Sequence, residues 1–343
     1  MIRVPTVPAL RACLLASAAI VVAVPASAQE LNLYTTREPG LIQPLLDSFT
    51  RTSGITVNSF FVRDGLAERV VAEGARSPAD VLMTVDVGSL LDLVDKGLTQ
   101  ALQSAILDEA VPANLRGPMG EWFALSLRAR VLYAARDRAL SSFTYEQLAD
   151  PAWKGRVCLR SGQHPYNIAL IAAYLVHHGQ AQTETWLRGL KANLGRAATG
   201  GDRDVARDIM GGICDIGAAN SYYVGLMRSG AGGPEQEKWG AAIKVVLPTF
   251  AGGGTHVNIS GAAVARYSPN RSAAVRFLEY LVSDEAQKIY AEANFEYPVK
   301  AGVPVHSIIA ALGPLTVDSI RLSEIARHRA TASRLVDKVG LDN

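Results

Sequence analysis

Apolar and polar positions along the chain alternate between two periods. Leu31-Asn32-Leu33-Tyr34 reads as a short strand, after which Leu41, Ile42, Leu45, Leu46 and Phe49 recur at helical spacing until Gly54. Ile55 to Phe61 then returns to β-rich sequence, which completes a β-α-β opening. A second unit follows: Ala79-Asp80-Val81-Leu82-Met83-Thr84-Val85-Asp86 is a mostly apolar run of strand length, and Leu90, Leu91, Leu93 and Val94 behind it have helical spacing. Strands alternating with amphipathic helices predict an α/β chain with mixed, mostly parallel sheets flanked by helices.

Two later stretches predict how the sheets divide. Trp122 to Tyr133 is extended and apolar except for Arg128 and Arg130, as a strand passing from one domain to another would be. Lys244 to Pro248, followed by Ala251-Gly252-Gly253-Gly254-Thr255-His256, supplies a return path through a flexible glycine tract. Two crossings make a hinge. The first domain is therefore expected to be discontinuous, residues 29–127 plus about 250–300, with the second domain at 128–249 and residues 301–343 forming C-terminal helices that pack on the body.

The N-terminus adds a compartment. Arg3 and Arg11 precede an apolar run from Leu14 to Val24, and Ala26-Ser27-Ala28 offers a small-residue cleavage site before Gln29, so residues 1–28 read as a signal peptide and the mature protein as periplasmic. Its loss takes Lys+Arg from 34 to 32 against 32 Asp+Glu, a balance that gives no support for nucleic-acid binding. With 49% hydrophobic and 19% charged residues among 343, the chain can bury a substantial core, and its length suits two domains better than one. Cys158 and Cys214 remain after cleavage; an oxidising compartment lets them pair, and two buried thiols are the alternative.

Common catalytic signatures are missing from the sequence: no P-loop, no Gly-x-Ser-x-Gly elbow, no His-Glu-x-x-His helix. His177-His178, near the end of the helical stretch Asn167 to His178, reads as a cap or a solvated pair, and His164 and His256 stand alone. The tyrosines are more informative. Phenolate oxygen is a hard, strongly donating ligand, and tyrosines gathered at one point suit a hard trivalent metal such as ferric iron. Tyr222 and Tyr223 in Asn220-Ser221-Tyr222-Tyr223 would face opposite ways on a strand, so both can reach one metal only at a turn or a helix start. Tyr166 stands similarly, after Ser161-Gly162-Gln163-His164-Pro165 and at the head of an apolar-periodic segment. Taken singly, each is better explained as a half-buried aromatic in ordinary packing than as a ligand.

Together with other segments, these residues carry a resemblance that runs from about Leu31 to the C-terminus. Leu33-Tyr34-Thr35-Thr36-Arg37, Ser77 to Asp86, Arg128-Ala129-Arg130-Val131, Cys158 to Gly162, Gly201-Asp202-Arg203-Asp204, Asn220 to Tyr223, His256 to Gly261 and Glu296-Tyr297-Pro298-Val299 are similar to segments of the periplasmic ferric-ion-binding proteins of ABC transporters. The resemblance implies the two-domain type II periplasmic-binding-protein fold with a two-crossover hinge, and Tyr166, Tyr222 and Tyr223 as the three iron ligands. Some relatives place a His-Tyr pair just after the first strand's arginine, where this chain has Glu38-Pro39, and proline cannot ligate. In the subgroup without that pair a synergistic carbonate completes the sphere, which implies that Arg37, Arg128 and Ser161 hold it here, with Glu38 left open as a further ligand. On that scheme three phenolates neutralise Fe³⁺, and the two charges of carbonate meet Arg37 and Arg128.

The expected function is capture of ferric iron by a monomer that delivers it to an inner-membrane ABC permease, without catalysis. Binding of a small organic or inorganic anion without metal, with Arg37 and Arg128 as the clamp, is the alternative among binding proteins. An enzyme on the same fold is the alternative of another class.

Overall fold

The computed structural model describes residues 1–2 and 29–343; the expected signal peptide, with Arg11 and the Ala26-Ser27-Ala28 site, lies outside the described residues. Nine strands form among the described residues: β1 (Glu30–Thr35), β2 (Thr56–Phe61), β3 (Val81–Thr84), β4 (Phe123–Ala135), β5 (Val157–Cys158), β6 (Ile216–Asn220), β7 (Ile243–Val246), β8 (Val257–Val264) and β9 (Tyr297–Pro298). Their order is β2-β1-β3-β8-β4-β6-β5, with β7 and β9 also on β4.

The opening unit follows its pattern. β1 buries Leu31, Leu33 and Tyr34, and the helix Pro39–Ser53 buries Ile42, Leu45, Leu46 and Phe49 against the sheet. Gly54 ends that helix at φ 73°, a left-handed turn where a side chain would strain the backbone. The second strand is shorter than its apolar run. β3 stops at Thr84 because the Asp86 carboxylate accepts the N–H groups of Gly88 and Ser89 and caps the helix Val87–Asp95, which begins three residues after the strand ends.

β4 organises the molecule. Twelve of its thirteen residues are buried; Phe123 to Ala129 pairs with β8, and Arg130 to Ala134 with β6. The chain thus passes along β4 from one half of the sheet to the other and returns between β7 and β8. Tyr145 pins the two passages together: its hydroxyl donates to the Arg130 carbonyl at 2.6 Å and accepts the His256 N–H at 3.1 Å. Both strands running through the middle make the sheet more antiparallel than the strand–helix alternation suggests. β1 is parallel to β2 and β3, and β5 to β6, whereas every pairing of β4 and β8 is antiparallel.

Cys158 on β5 is joined to Cys214 by a disulfide across a Cα separation of 5.8 Å. Of the C-terminal helices, Leu322–Arg327 and Arg329–Val339 pack on the helix Pro165–Ala192. That long helix is two segments meeting at Gly179 (φ 75°, ψ 171°). His177 and His178, just before the kink, are neither caps nor solvated: each ring meets its own carboxylate, Asp318 at 2.9 Å and Glu146 at 2.6 Å.

Candidate metal centre

The three tyrosines converge because two helix starts do. Tyr166 is the second residue of the helix Pro165–Ala192, whose N-cap His164 accepts the Tyr166 N–H on Nδ1 at 3.2 Å. Burial, and then the charge of Arg160, push the His164 imidazole down to about 4, which keeps it the neutral acceptor this cap needs. Tyr222 and Tyr223 open the helix Tyr222–Arg228 directly after β6. Ser221, fully buried between them, exchanges two bonds with Ala129 of β4, its N–H donating at 2.9 Å and its hydroxyl accepting at 3.2 Å. Adjacent residues on a first helical turn can converge as they could not on a strand, and their ring centres lie 4.0 Å apart.

Arg128 joins this pair to Tyr166. Its Nη1 donates to Tyr166 Oη at 3.2 Å, and its guanidinium carbon stands 5.4 Å from the Tyr166 ring centre and 5.9 Å from that of Tyr222. Behind the tyrosines, the buried pair Arg130–Asp202 (2.6 Å) fixes their neighbours. Arg130 donates to Asn167 at 2.6 Å and to Asn220 at 3.1 Å, while Asp202 accepts the Asn220 N–H at 2.8 Å.

Tyr166, Tyr222, Tyr223 and Arg128 line a cleft of about 380 Å³ together with Arg37, Glu38, Arg203, Asn294 and Glu296. Glu38 and Arg203 are exposed and form its rim; Arg37, Arg128 and Glu296 are buried in its wall. Pro39, next to Glu38, serves as the first residue of a helix. Among the described residues, no group of three or more His, Cys, Asp or Glu is placed to hold a metal.

The electrostatics are uneven. Burial pushes the Tyr222 and Tyr223 phenols above the ordinary tyrosine value; the neighbouring phenols add to this for Tyr222, and Asp202 for Tyr223. Burial works against the Arg128 charge, yet Tyr166, Glu296, Tyr222 and Asp86 outweigh it and hold the guanidinium firmly protonated. Glu296 is the mirror case: burial opposes its charge, and Arg37 and Arg128 keep the carboxylate below its usual range.

Two of the residues expected around an anion are placed otherwise. Arg37 lines the cleft, but its Nη2 is taken by Glu296 (2.8 and 3.1 Å) and Ser260, so its charge is already matched by the protein. Ser161 does not reach the cleft. Its hydroxyl donates to Asp342 at 2.6 Å, and the N–H groups of Gly162 and Gln163 go to the same carboxylate at 2.5 and 3.2 Å, because the C-terminal turn packs over this loop. The group that sequence reasoning missed is Glu296. Its segment is similar to one in the family, but nothing local to Glu296-Tyr297-Pro298 announces a partner 259 positions earlier.

A family model described as bacterial extracellular solute-binding protein matches residues 76–309. A solved structure called Bordetella ferric binding protein is 65% identical with a TM-score of 0.88, covering 92% of this chain and 100% of that one. A Trichodesmium protein solved in complex with iron and citrate ligands is 42% identical with a TM-score of 0.87 and covers 91% of this chain and 99% of its own. Iron uptake protein A2 of Synechocystis sp. is 41% identical over 319 residues, 92% of this chain and 91% of the relative.

Proposed function

We propose that this chain, which belongs to the bacterial extracellular solute-binding protein family, captures ferric iron in the periplasm and passes it to an inner-membrane ABC permease, acting as a monomer and without catalysis. The convergence of Tyr166, Tyr222 and Tyr223 beside Arg128 carries the reading. Three phenolates match the charge of Fe³⁺ and its preference for hard oxygen donors. A small oxyanion of the carbonate class fills the remaining coordination positions against Arg128, with Arg37 behind it. Relatives named for ferric iron and iron uptake, one of them solved with iron, support the same cargo.

Capture and release need movement. The halves 29–127 with about 250–300, and 128–249, act as two bodies hinged where β4 and the β7–β8 connection cross, and the tyrosine side closes on the wall carrying Arg37 and Glu296. Gly225 on the tyrosine helix makes one contact between them possible: a Cβ there would collide with the ring of Phe295, the residue before Glu296.

Adding ferric salt to the apoprotein should produce a visible phenolate-to-iron charge-transfer band. Tyr222→Phe and Tyr223→Phe should each lower iron affinity by about a hundredfold or more, since even groups that only orient a ligand are worth 10–100-fold, while the thermal midpoint of the apoprotein stays put. A colourless complex of undiminished affinity in both variants would remove these tyrosines from the site.

A further inference from the structure

We propose that a basic pocket at the far end of the tyrosine helix binds a phosphate monoester, separately from the iron. The pocket encloses about 530 Å³ and shares no lining residue with the tyrosine cleft. Three cations reach it from three elements: Arg136 follows the last residue of β4, Arg228 ends the helix Tyr222–Arg228, and Lys244 lies on β7. Sheet register brings two of them together, because Ala134 and Ala135 of β4 pair with Lys244 and Ile243 of β7.

Among the described residues none of the three has a carboxylate partner; carbonyls hold each of them in place. Arg136 Nη1 donates to Ala241 at 2.8 Å, Arg228 donates from Nε to Gly240 at 3.1 Å and from Nη2 to Ile243 at 2.9 Å, and Lys244 Nζ donates to Arg138. Asp215, whose carbonyl takes the Ala135 N–H, gives its carboxylate to Arg138 at 2.6 Å. Arg136 Nε and Nη2, Arg228 Nη1 and the remaining ammonium protons of Lys244 are left without a protein acceptor. Holding like charges together has a cost: burial, and then the charge of Arg136, pull the Arg228 guanidinium below the ordinary arginine value. An anion placed among the three removes that repulsion.

The lining sets the kind of anion. It carries three positive charges against one negative, that of the exposed Glu237, while Asp137, next to Arg136 in the chain, is exposed and does not line the pocket. A phosphate monoester brings about two negative charges near neutral pH and three acceptor oxygens, one for each group of unspent donors. A sulfate ester or a single carboxylate brings one charge. Ile243, Val245 and Leu312 give the same pocket an apolar side, against which the organic body of the ester packs.

Calorimetric titration of the iron-free mature protein tests this, with phenyl phosphate, phenyl sulfate and inorganic phosphate as probes. Phenyl phosphate should bind once per chain, about tenfold or more tighter than phenyl sulfate of similar shape, and tighter than inorganic phosphate, which lacks the apolar body. Arg136→Gln and Lys244→Gln should each weaken it by about tenfold, the effect of one charged hydrogen bond, and Glu237→Gln should strengthen it. Thermal midpoints and the ferric charge-transfer band should match wild type in all three, so that failure of this proposal leaves the ferric reading intact. Phenyl phosphate binding that survives undiminished in Arg136→Gln/Lys244→Gln would put the anion elsewhere and overturn the proposal; so would equal affinity for phenyl sulfate, or no binding of phenyl phosphate. Vesicles containing phosphatidate separate the two sources of such a group: sedimentation of the wild-type protein with them, lost in the double variant, makes the ligand a lipid headgroup, and its absence makes the ligand a soluble ester.

Discussion

Arg37–Glu296 and Arg130–Asp202 are both buried arginine–carboxylate pairs, at 2.8 and 2.6 Å, and they lie on different sides of the tyrosines. Arg130 spends its guanidinium on the protein: Asp202, Asn220, Asn167 and the Ala218 carbonyl take four bonds, and two of those residues adjoin the tyrosine-bearing helix starts. Arg37 directs Nη2 to Glu296 and Ser260, leaves Nε without a partner, and faces the cleft. The same chemistry therefore acts as a scaffold in one place and as a wall of the cleft in the other. What separates the roles is whether the pair's remaining surface meets protein or cleft.

The largest effect should come from breaking the scaffold. Asp202→Ala leaves Arg130 buried without its carboxylate and frees the Asn220 N–H, at an expected cost of about 3–5 kcal/mol in the apoprotein, measurable by denaturant unfolding. Iron affinity should fall with it, because Asn220 leads into Ser221, Tyr222 and Tyr223. If apoprotein stability is unaffected while iron binding collapses, Asp202 belongs to the site and the contrast between the two pairs fails.

Acid should act on the tyrosines next. Burial holds the Tyr222 and Tyr223 phenols protonated to a higher pH than free tyrosine, so iron must expel those protons on binding. The sign follows: affinity falls as pH falls, by about tenfold per pH unit for each proton displaced. Iron titrations at neutral and mildly acidic pH, with the released protons counted in weak buffer, check this. Binding that is independent of pH and releases no protons is incompatible with phenolate ligands.

The sequence made the tyrosines legible because their constraint is local. Two adjacent tyrosines that must converge demand a turn or a helix start, and the helix Tyr222–Arg228 supplies it. The crossing at β4 was legible for the same reason, as a long apolar run interrupted by Arg128 and Arg130. The end of β3 was not, since Asp86 reads equally well as strand or as helix cap until its carboxylate is seen on Gly88 and Ser89. Nor was the partner of Arg37: pairing 37 with 296 is a property of sheet order, which brings β9 beside β4 and sets the residue before it against Ser126 of β4 and Ser260 of β8, within reach of Arg37. A charge account drawn from the sequence therefore counted two free arginines where the fold gives Arg37 a carboxylate.

Ser161 gives the smallest expected effect and the finest test of which wall meets the anion. In the structure its hydroxyl satisfies Asp342, a contact 181 positions apart that no local pattern announces. Ser161→Ala should cost about 0.5–1.5 kcal/mol of stability for one lost hydrogen bond and change iron affinity in bicarbonate less than about twofold, because the wall at Arg128 is untouched. A loss of about tenfold, restored by Ser161→Thr, would mean that the serine leaves Asp342 when the cleft closes and turns to the anion. Arg128 would then share the anion with a neutral donor from the tyrosine side, and the division into scaffold and wall would hold only for the arrangement of the cleft seen in this structure.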